Sequence, residues 1–120
     1  MTRSIRRLSM LALLTITVAA CLPRPTPDQL ARADYGPYPD QFEEIVKRHF
    51  SRALYDPYSA VYEFPRAATT EWTLMRGKIV YGWGVKGFVN ARNRFGGYVG
   101  ARPFAVLIRN GQVLWADIAR

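Results

Sequence analysis

Five prolines fall between positions 23 and 39, at Pro23, Pro25, Pro27, Pro37 and Pro39, directly behind an apolar run that ends at Val18. Each removes a backbone donor and fixes φ near about −65°, so this stretch favours an extended, polyproline-like path over a helix interior or a central strand. The folding unit is thereby confined to the chain from Asp40 onward, which is about 80 residues and a small core. With 13% aromatic residues in the chain, large rings are expected to supply much of the buried area, and Trp72, Trp83, Trp115 and several tyrosines are the expected contributors.

The segment ahead of the prolines has three parts. Arg3, Arg6 and Arg7 form a basic start, Leu8 to Val18 an apolar stretch, and Ala19-Ala20 a small-residue exit before Cys21. This layout predicts a signal peptide over residues 1–20, since the apolar stretch is shorter than the roughly 20 residues a spanning helix needs. Val18-Ala19-Ala20-Cys21 resembles the lipobox of bacterial lipoproteins. The resemblance implies cleavage before Cys21, a diacylglyceryl thioether on its sulfur and a fatty acyl chain such as palmitate on its new amino group. Several chains together anchor stably where a single one binds marginally. Leu22, and not Asp, follows the cysteine; by the sorting rule of Gram-negative enteric bacteria this implies an outer-membrane lipoprotein facing the periplasm, with the inner membrane as the alternative. Residues 21–39 then read as the lipidated cysteine and a stiff tether with a local helical turn over Gln29 to Ala33, and residues 40–120 as the domain. A proline ligand for a partner is the other reading of the tether.

The domain opens with Asp40-Gln41-Phe42-Glu43, a capping-box pattern, after which Phe42, Ile45, Val46, His49, Phe50, Ala53 and Leu54 recur at helical spacing. This predicts an amphipathic helix from Asp40 to about Tyr55, stopped by Asp56-Pro57. His49 falls on the apolar stripe and reads as a packed or edge histidine, because no nucleophile or ligand spacing accompanies it. The remainder alternates at period two. Strands are expected near Val61 to Pro65, over Thr70 to Arg76, from Ile79 to Ala91 after a Gly77-Lys78 turn, and over Tyr98 to Ile108 and Val113 to Ala119 around the hairpin signature Asn110-Gly111. In that hairpin Val106 is expected opposite Trp115 and Ile108 opposite Val113, on one apolar face. The predicted fold is α+β, with one amphipathic N-terminal helix packed on a four- to five-stranded antiparallel meander.

Asn90-Ala91-Arg92-Asn93-Arg94-Phe95-Gly96-Gly97-Tyr98-Val99-Gly100 is the least generic stretch. Guanidiniums and amides can read carboxylates, sugars or backbone groups, and exposed rings stack on a partner. Asn90, Arg92, Asn93, Arg94, Phe95 and Tyr98 are therefore candidate binding residues, with Lys86 and Arg102 as extensions of a basic patch. The alternative is a structural connection in which Asn90 and Asn93 bond their own turn, Gly96-Gly97 supplies positive φ, and Phe95 and Tyr98 pack on the helix. No Gly-Lys-Ser/Thr follows the glycines, which excludes a phosphate loop. From Asp56-Pro57-Tyr58-Ser59-Ala60 through this stretch the domain resembles a group of small exported bacterial proteins. Their pattern runs Asp-Pro-x-Ser-Ala and then Asn-Ala-Lys-Asn-Ser-Phe-Gly-Gly-Tyr-Thr-Gly. Here Arg92 replaces Lys, Arg94 replaces Ser and Val99 replaces Thr, and the cysteine expected in the preceding strand of many members is missing. The group implies a fold and a loop and no reaction.

One cysteine and one histidine preclude an intramolecular disulfide and leave no expected metal site or cofactor. The formal charge is +8; without Arg3, Arg6 and Arg7, the remaining 14 basic and 9 acidic residues leave +5. Such a surface suits anionic lipid, glycan or protein partners. Nucleic acid is not expected outside the cytoplasm. In the sheet region the carboxylates are Glu63, Glu71 and Asp117, and no catalytic residue is assigned. The expectation is a non-enzymatic module, tied to the membrane through lipid on Cys21, that binds or scaffolds an envelope or secretion-machinery protein. The alternative is a lipoprotein that binds an anionic glycan or peptidoglycan fragment, or inhibits a hydrolase, which a concave pocket lined by Trp83, Tyr81 or Tyr98 would favour. The sequence leaves the oligomeric state open.

Overall fold

The computed structural model describes Leu22 to Ala119; Cys21, the residues before it and Arg120 lie outside the described residues. The expected signal peptide and lipidation site therefore lie outside them too. The described chain is α+β, built on a five-stranded antiparallel sheet. Its strands are β1 (Val61–Glu63), β2 (Thr69–Met75), β3 (Lys78–Asn90), β4 (Arg102–Arg109) and β5 (Gln112–Ile118).

β3 organises the sheet. Its thirteen residues pair along one edge with β4, from Trp83↔Ile108 to Val89↔Arg102. Along the other edge they pair with β2, up to Gly84, and with β1, from Phe88. β1 and β2 thus lie end to end on one side of β3. The break between them contains Pro65, which has no N–H to give to a ladder. At that break the chain passes so close to β3 that a Cβ on Gly87 would sit 2.3 Å from the Glu63 carbonyl oxygen. Glycine is required there for space.

Two tight turns close the hairpins. Arg76 and Gly77 both take positive φ, 51° and 75°, as do Asn110 and Gly111, 51° and 73°. Two consecutive left-handed residues make the type I′ turn, whose twist matches that of the strands it joins. The first turn falls one residue earlier than the expected Gly77-Lys78, with Arg76 in the left-handed conformation and Lys78 already the first residue of β3.

The buried face of the sheet carries Val85, Val89, Phe104, Val106 and Ile108. The helix α2 (Phe42–Phe50) adds Val46 and Phe50 to this cluster, with the Phe50 and Phe104 rings edge to face at 5.3 Å. α2 is shorter than the expected Asp40–Tyr55 helix. Gln41 and not Asp40 is its N-cap, with no side-chain cap bond, because Asp40 is turned into the preceding bend, its N–H donating to the Tyr38 carbonyl. The end tightens after Phe50, where Arg52 and Ala53 donate to carbonyls three residues back. His49 is exposed, its ring against the edge of Phe50 at 5.5 Å, and so stands at the rim of the stripe.

Two expectations about aromatic burial are corrected. Among the described residues the buried core is aliphatic with two phenylalanines and holds no tryptophan or tyrosine. Trp115 lies opposite Leu107, not Val106, because the β4–β5 ladder shifts between Leu107 and Ile108. The β-bulge places one extra residue on β5, and one residue of slip moves a side chain to the other face of a sheet. Trp115 is accordingly exposed on the face away from α2, while Ala116 takes the place opposite Val106.

The proline-rich segment also departs from a plain spacer. Thr26 and Gln29 form a reciprocal capping box that starts a short helix, α1 (Pro27–Arg32), with Pro27 at its first position. Beyond it, Asp34 to Pro39 is laid against the sheet. Trp83 Nε1 donates to the Gly36 carbonyl at 3.0 Å, and Tyr35 meets Tyr81, and Tyr38 meets Trp83, edge to face at 5.6 and 5.0 Å. Arg109 Nη1 donates to the Asp34 carbonyl and, at 3.2 Å, to that of Tyr81. Its Nη2 lies 3.4 Å from the Asp34 carboxylate. Pro39 is buried. Only the part ahead of Asp34 remains clear of these contacts, which shortens the reach expected of the tether.

Candidate functional site

The connection from β3 to β4 is built by its two asparagines. Asn93 Oδ1 accepts from the N–H groups of Phe95 and Gly97 at 2.9 and 3.3 Å, and the Asn93 N–H donates to the Gly97 carbonyl at 2.9 Å. This is an Asx-type turn, in which the side chain stands in for a backbone acceptor. Gly96, at φ 80°, is its left-handed residue. Asn90 Oδ1 accepts from the Gly100 N–H at 3.2 Å and closes the base of the loop. A single bridge pairs Arg92 with Tyr98. β4 accordingly begins at Arg102, later than the expected start at Tyr98, because the returning chain is spent on these turns.

The 3₁₀ turn Pro57–Ser59 clasps the loop from the side. Ser59 Oγ accepts from the Arg92 N–H at 2.9 Å and donates to the Asp56 carbonyl at 2.8 Å. The Tyr98 hydroxyl donates to the Ser59 carbonyl at 3.0 Å. The Asp-Pro-x-Ser-Ala and Asn-Ala-x-Asn segments, far apart in the chain, are thus one structural unit. Ser59 is a site residue that sequence reasoning misses; its place in the same motif is the signal that could find it.

What the clasp holds outward differs from what it consumes. The asparagine oxygens and the Ser59 hydroxyl are engaged internally. Phe95 is 86% exposed and Tyr98 48%, so neither ring is packed on the helix. The Arg92 guanidinium lies 5.4 Å from the Tyr98 ring and that of Arg94 5.6 Å from the Phe95 ring. Cation–π contacts of this exposed kind are worth about 0.5–1 kcal/mol and pre-orient the guanidinium plane. Among the described residues, ion pairs join Lys47 to Glu44 and Arg109 to Asp34, and neither Arg92 nor Arg94 has a carboxylate within the 4.0 Å of such a pair. Tyr58, fully exposed, lines a depression of about 450 Å³ with Arg92, Tyr98, Val61 and Asp56. A second depression of about 180 Å³ brings Arg102 beside Tyr55, Arg92, Asn93 and Val99.

Arg102 therefore joins the loop, whereas Lys86 does not. Lys86 lines a cavity of about 480 Å³ with Arg66, Phe88, Pro103 and Asp117. Trp83 and Tyr81 line none of the described cavities, being covered by the Tyr35–Tyr38 segment. Among the described cavities Glu71 lines one and Glu63 none, and Glu71 turns its carboxylate back to the Trp72 N–H at 3.4 Å. Among the described residues no group of three or more His, Cys, Asp or Glu could hold a metal ion. No helix among them is long and apolar enough to cross a membrane. No protein-family model, curated protein or solved structure significantly matches the chain.

Proposed function

We propose that this chain is a membrane-anchored lipoprotein of the bacterial envelope. Its domain, one helix on an antiparallel meander, binds or scaffolds a protein partner without catalysing a reaction. The observation that carries the binding reading is the exposed Phe95 ring beside Arg94, held on a loop whose polar side chains are otherwise spent on keeping its shape. Aromatic rings and arginine are enriched in protein–protein interfaces, and tyrosine and arginine are among the side chains that dominate their affinity. The anchoring reading rests on the lipobox resemblance at Cys21, and the outer membrane is the destination implied by Leu22. Recognition of an anionic glycan, or inhibition of a hydrolase, is the second reading. It draws on the same arginines and needs a pocket; of the rings expected to line one, Tyr98 lines the depression it shares with Tyr58 and Arg92, while Tyr81 and Trp83 are half-buried beneath the Tyr35–Tyr38 segment.

The test uses the full chain expressed in a Gram-negative host. Wild type is expected to take up labelled palmitate, to fractionate with the outer membrane and to retain a discrete protein after in-cell crosslinking. Cys21→Ser is expected to lose the label and the membrane association. Arg94→Ser with Phe95→Ser is expected to keep both and to lose the crosslinked partner. Asn90 and Asn93 are poor choices for this test, since their removal would collapse the loop. A Cys21→Ser chain that remains labelled and membrane-bound contradicts the anchoring reading, and an unchanged crosslinking pattern in the loop variant contradicts the binding one.

A further inference from the structure

We propose that the end of the domain bearing Tyr58, Arg92, Arg94, Phe95 and Tyr98 docks an acidic polypeptide segment, at the opposite end of the sheet from the strap that leads back toward Cys21. This rests on the reading of the chain as an anchored protein-binding module and specifies that partner.

The class of partner follows from which groups the site leaves available. A reader of sugar hydroxyls uses convergent acceptors together with donors, and here Asn93 Oδ1 already accepts from the N–H groups of Phe95 and Gly97 and Asn90 Oδ1 from that of Gly100. The Ser59 hydroxyl both donates and accepts within the clasp, and the Tyr98 hydroxyl is committed to Ser59. Beside the Nδ2 groups of the two asparagines, what remains is two guanidiniums stacked on rings, the exposed faces of Tyr58 and Phe95, and the exposed aliphatic side chains Val61 and Val99. Guanidinium forks without a carboxylate of their own take bidentate carboxylates. Rings and valines take apolar side chains. A polypeptide in which Asp or Glu alternates with apolar residues offers both. Asp56, the one carboxylate lining the larger depression, sets a limit on where such a segment can place its own acids.

The direction follows from the sheet. The anchor-proximal strap is fastened at Tyr81, Trp83 and Arg109, where β3 is beside the Asn110-Gly111 turn. The loop leaves β3 after Asn90. Trp83 and Asn90 are seven residues apart on one strand, about 23 Å at about 3.3 Å per residue. The chain leading back toward Cys21 thus leaves the sheet at the strap end, and the arginines and rings are carried at the other. The strap end has its own basic pair, Arg76 and Lys78, at the β2–β3 turn, and this pair provides the internal control.

The experiment takes the full lipidated chain in phosphatidylcholine nanodiscs and measures fluorescence polarisation of a labelled random Glu/Tyr copolymer, a Lys/Tyr copolymer and alginate, and co-sedimentation with phosphatidylglycerol vesicles. The Glu/Tyr copolymer is expected to bind tightest, with an affinity that falls as salt rises. Arg92→Gln with Arg94→Gln should weaken it about tenfold, the scale of losing charge-assisted hydrogen bonds. Phe95→Ser should weaken it as well, and Arg76→Gln with Lys78→Gln should leave it unchanged. Unaltered circular dichroism certifies each variant as folded. The proposal is overturned if alginate or the vesicles bind more tightly than the copolymer with the same sensitivity to Arg92 and Arg94. It is equally overturned if both pairs of charge variants weaken binding alike, or if the copolymer does not bind. A protein crosslinked from Phe95 in cells through a segment without acidic residues would preserve the protein-binding module and remove only this inference.

Discussion

The Ser59 hydroxyl accepts the backbone N–H of Arg92 at 2.9 Å, joining the 3₁₀ turn ahead of the sheet to the loop that follows its longest strand. The bond fixes the backbone of the residue whose guanidinium lies over Tyr98, and Tyr98 returns a bond to the same serine. Removing the hydroxyl leaves the Arg92 amide without its protein acceptor in an exposed place. Ser59→Ala should therefore cost about 1 kcal/mol, with faster hydrogen exchange at Arg92 and Tyr98 while the β3 amides that pair with β4 stay protected. Tyr98→Phe, which keeps the ring and removes the donor, should reproduce part of that loosening.

The strap makes a second prediction. Arg109 ties the Asp34 and Tyr81 carbonyls together, and Trp83 caps the Gly36 carbonyl. Arg109→Ala should release the segment from Asp34 to Pro39, at a cost of about 1–2 kcal/mol for hydrogen bonds from a charged, half-buried group. Limited proteolysis near Tyr35 and a red shift of Trp83 emission are the readouts. Loop binding should be unaffected, since the two ends are separated along β3.

Gly87 gives a large expected stability effect. A methyl group there would sit 2.3 Å from the Glu63 carbonyl oxygen and 2.7 Å from the Phe104 ring. Backbone cannot rotate away as a flexible side chain can. Gly87→Ala should destabilise by about 1–3 kcal/mol through displacement of β1, measured by thermal or denaturant unfolding. Gly111→Ala, at φ 73° with nothing within 4 Å of the new carbon, should cost about 1 kcal/mol from backbone conformation alone.

Phe50 tests the packing of α2. Its ring is 2% exposed and meets Phe104 in the core cluster. Phe50→Ala should cost about 3–5 kcal/mol, and Ala53→Ser, on the exposed turn beyond the helix, should be close to neutral.

Period-two alternation, turn residues and the Asn-Gly pair are enough to read the antiparallel sheet from the sequence, because each strand has one buried face and its turns need left-handed residues. The place of Trp115 is not legible. A bulge adds one residue to one strand, and alternation read along that strand alone carries no trace of it. The exposure of Trp115 follows from that bulge, and the strap draws Tyr35, Tyr38 and Trp83 into a partly exposed cluster at the sheet's end. Tyr35-Gly36-Pro37-Tyr38-Pro39 holds that signal, since a plain spacer has no use for two large rings. In the loop, the self-bonding of Asn90 and Asn93 is foreseeable from their habit of capping turns. The outward projection of Phe95 is not, because residue type alone does not say whether a ring beside two glycines folds back on the sheet.

The most direct test of the central claim places a photocrosslinking amino acid at Phe95 in the full chain, and separately at Lys78 beside the opposite turn, in a Gram-negative host. Ultraviolet light should join position 95 to a discrete envelope protein and leave position 78 without that product, and Arg92→Gln with Arg94→Gln should weaken the adduct at 95. The same products from both positions, or none from position 95 in a chain that is lipidated and folded, would contradict the account.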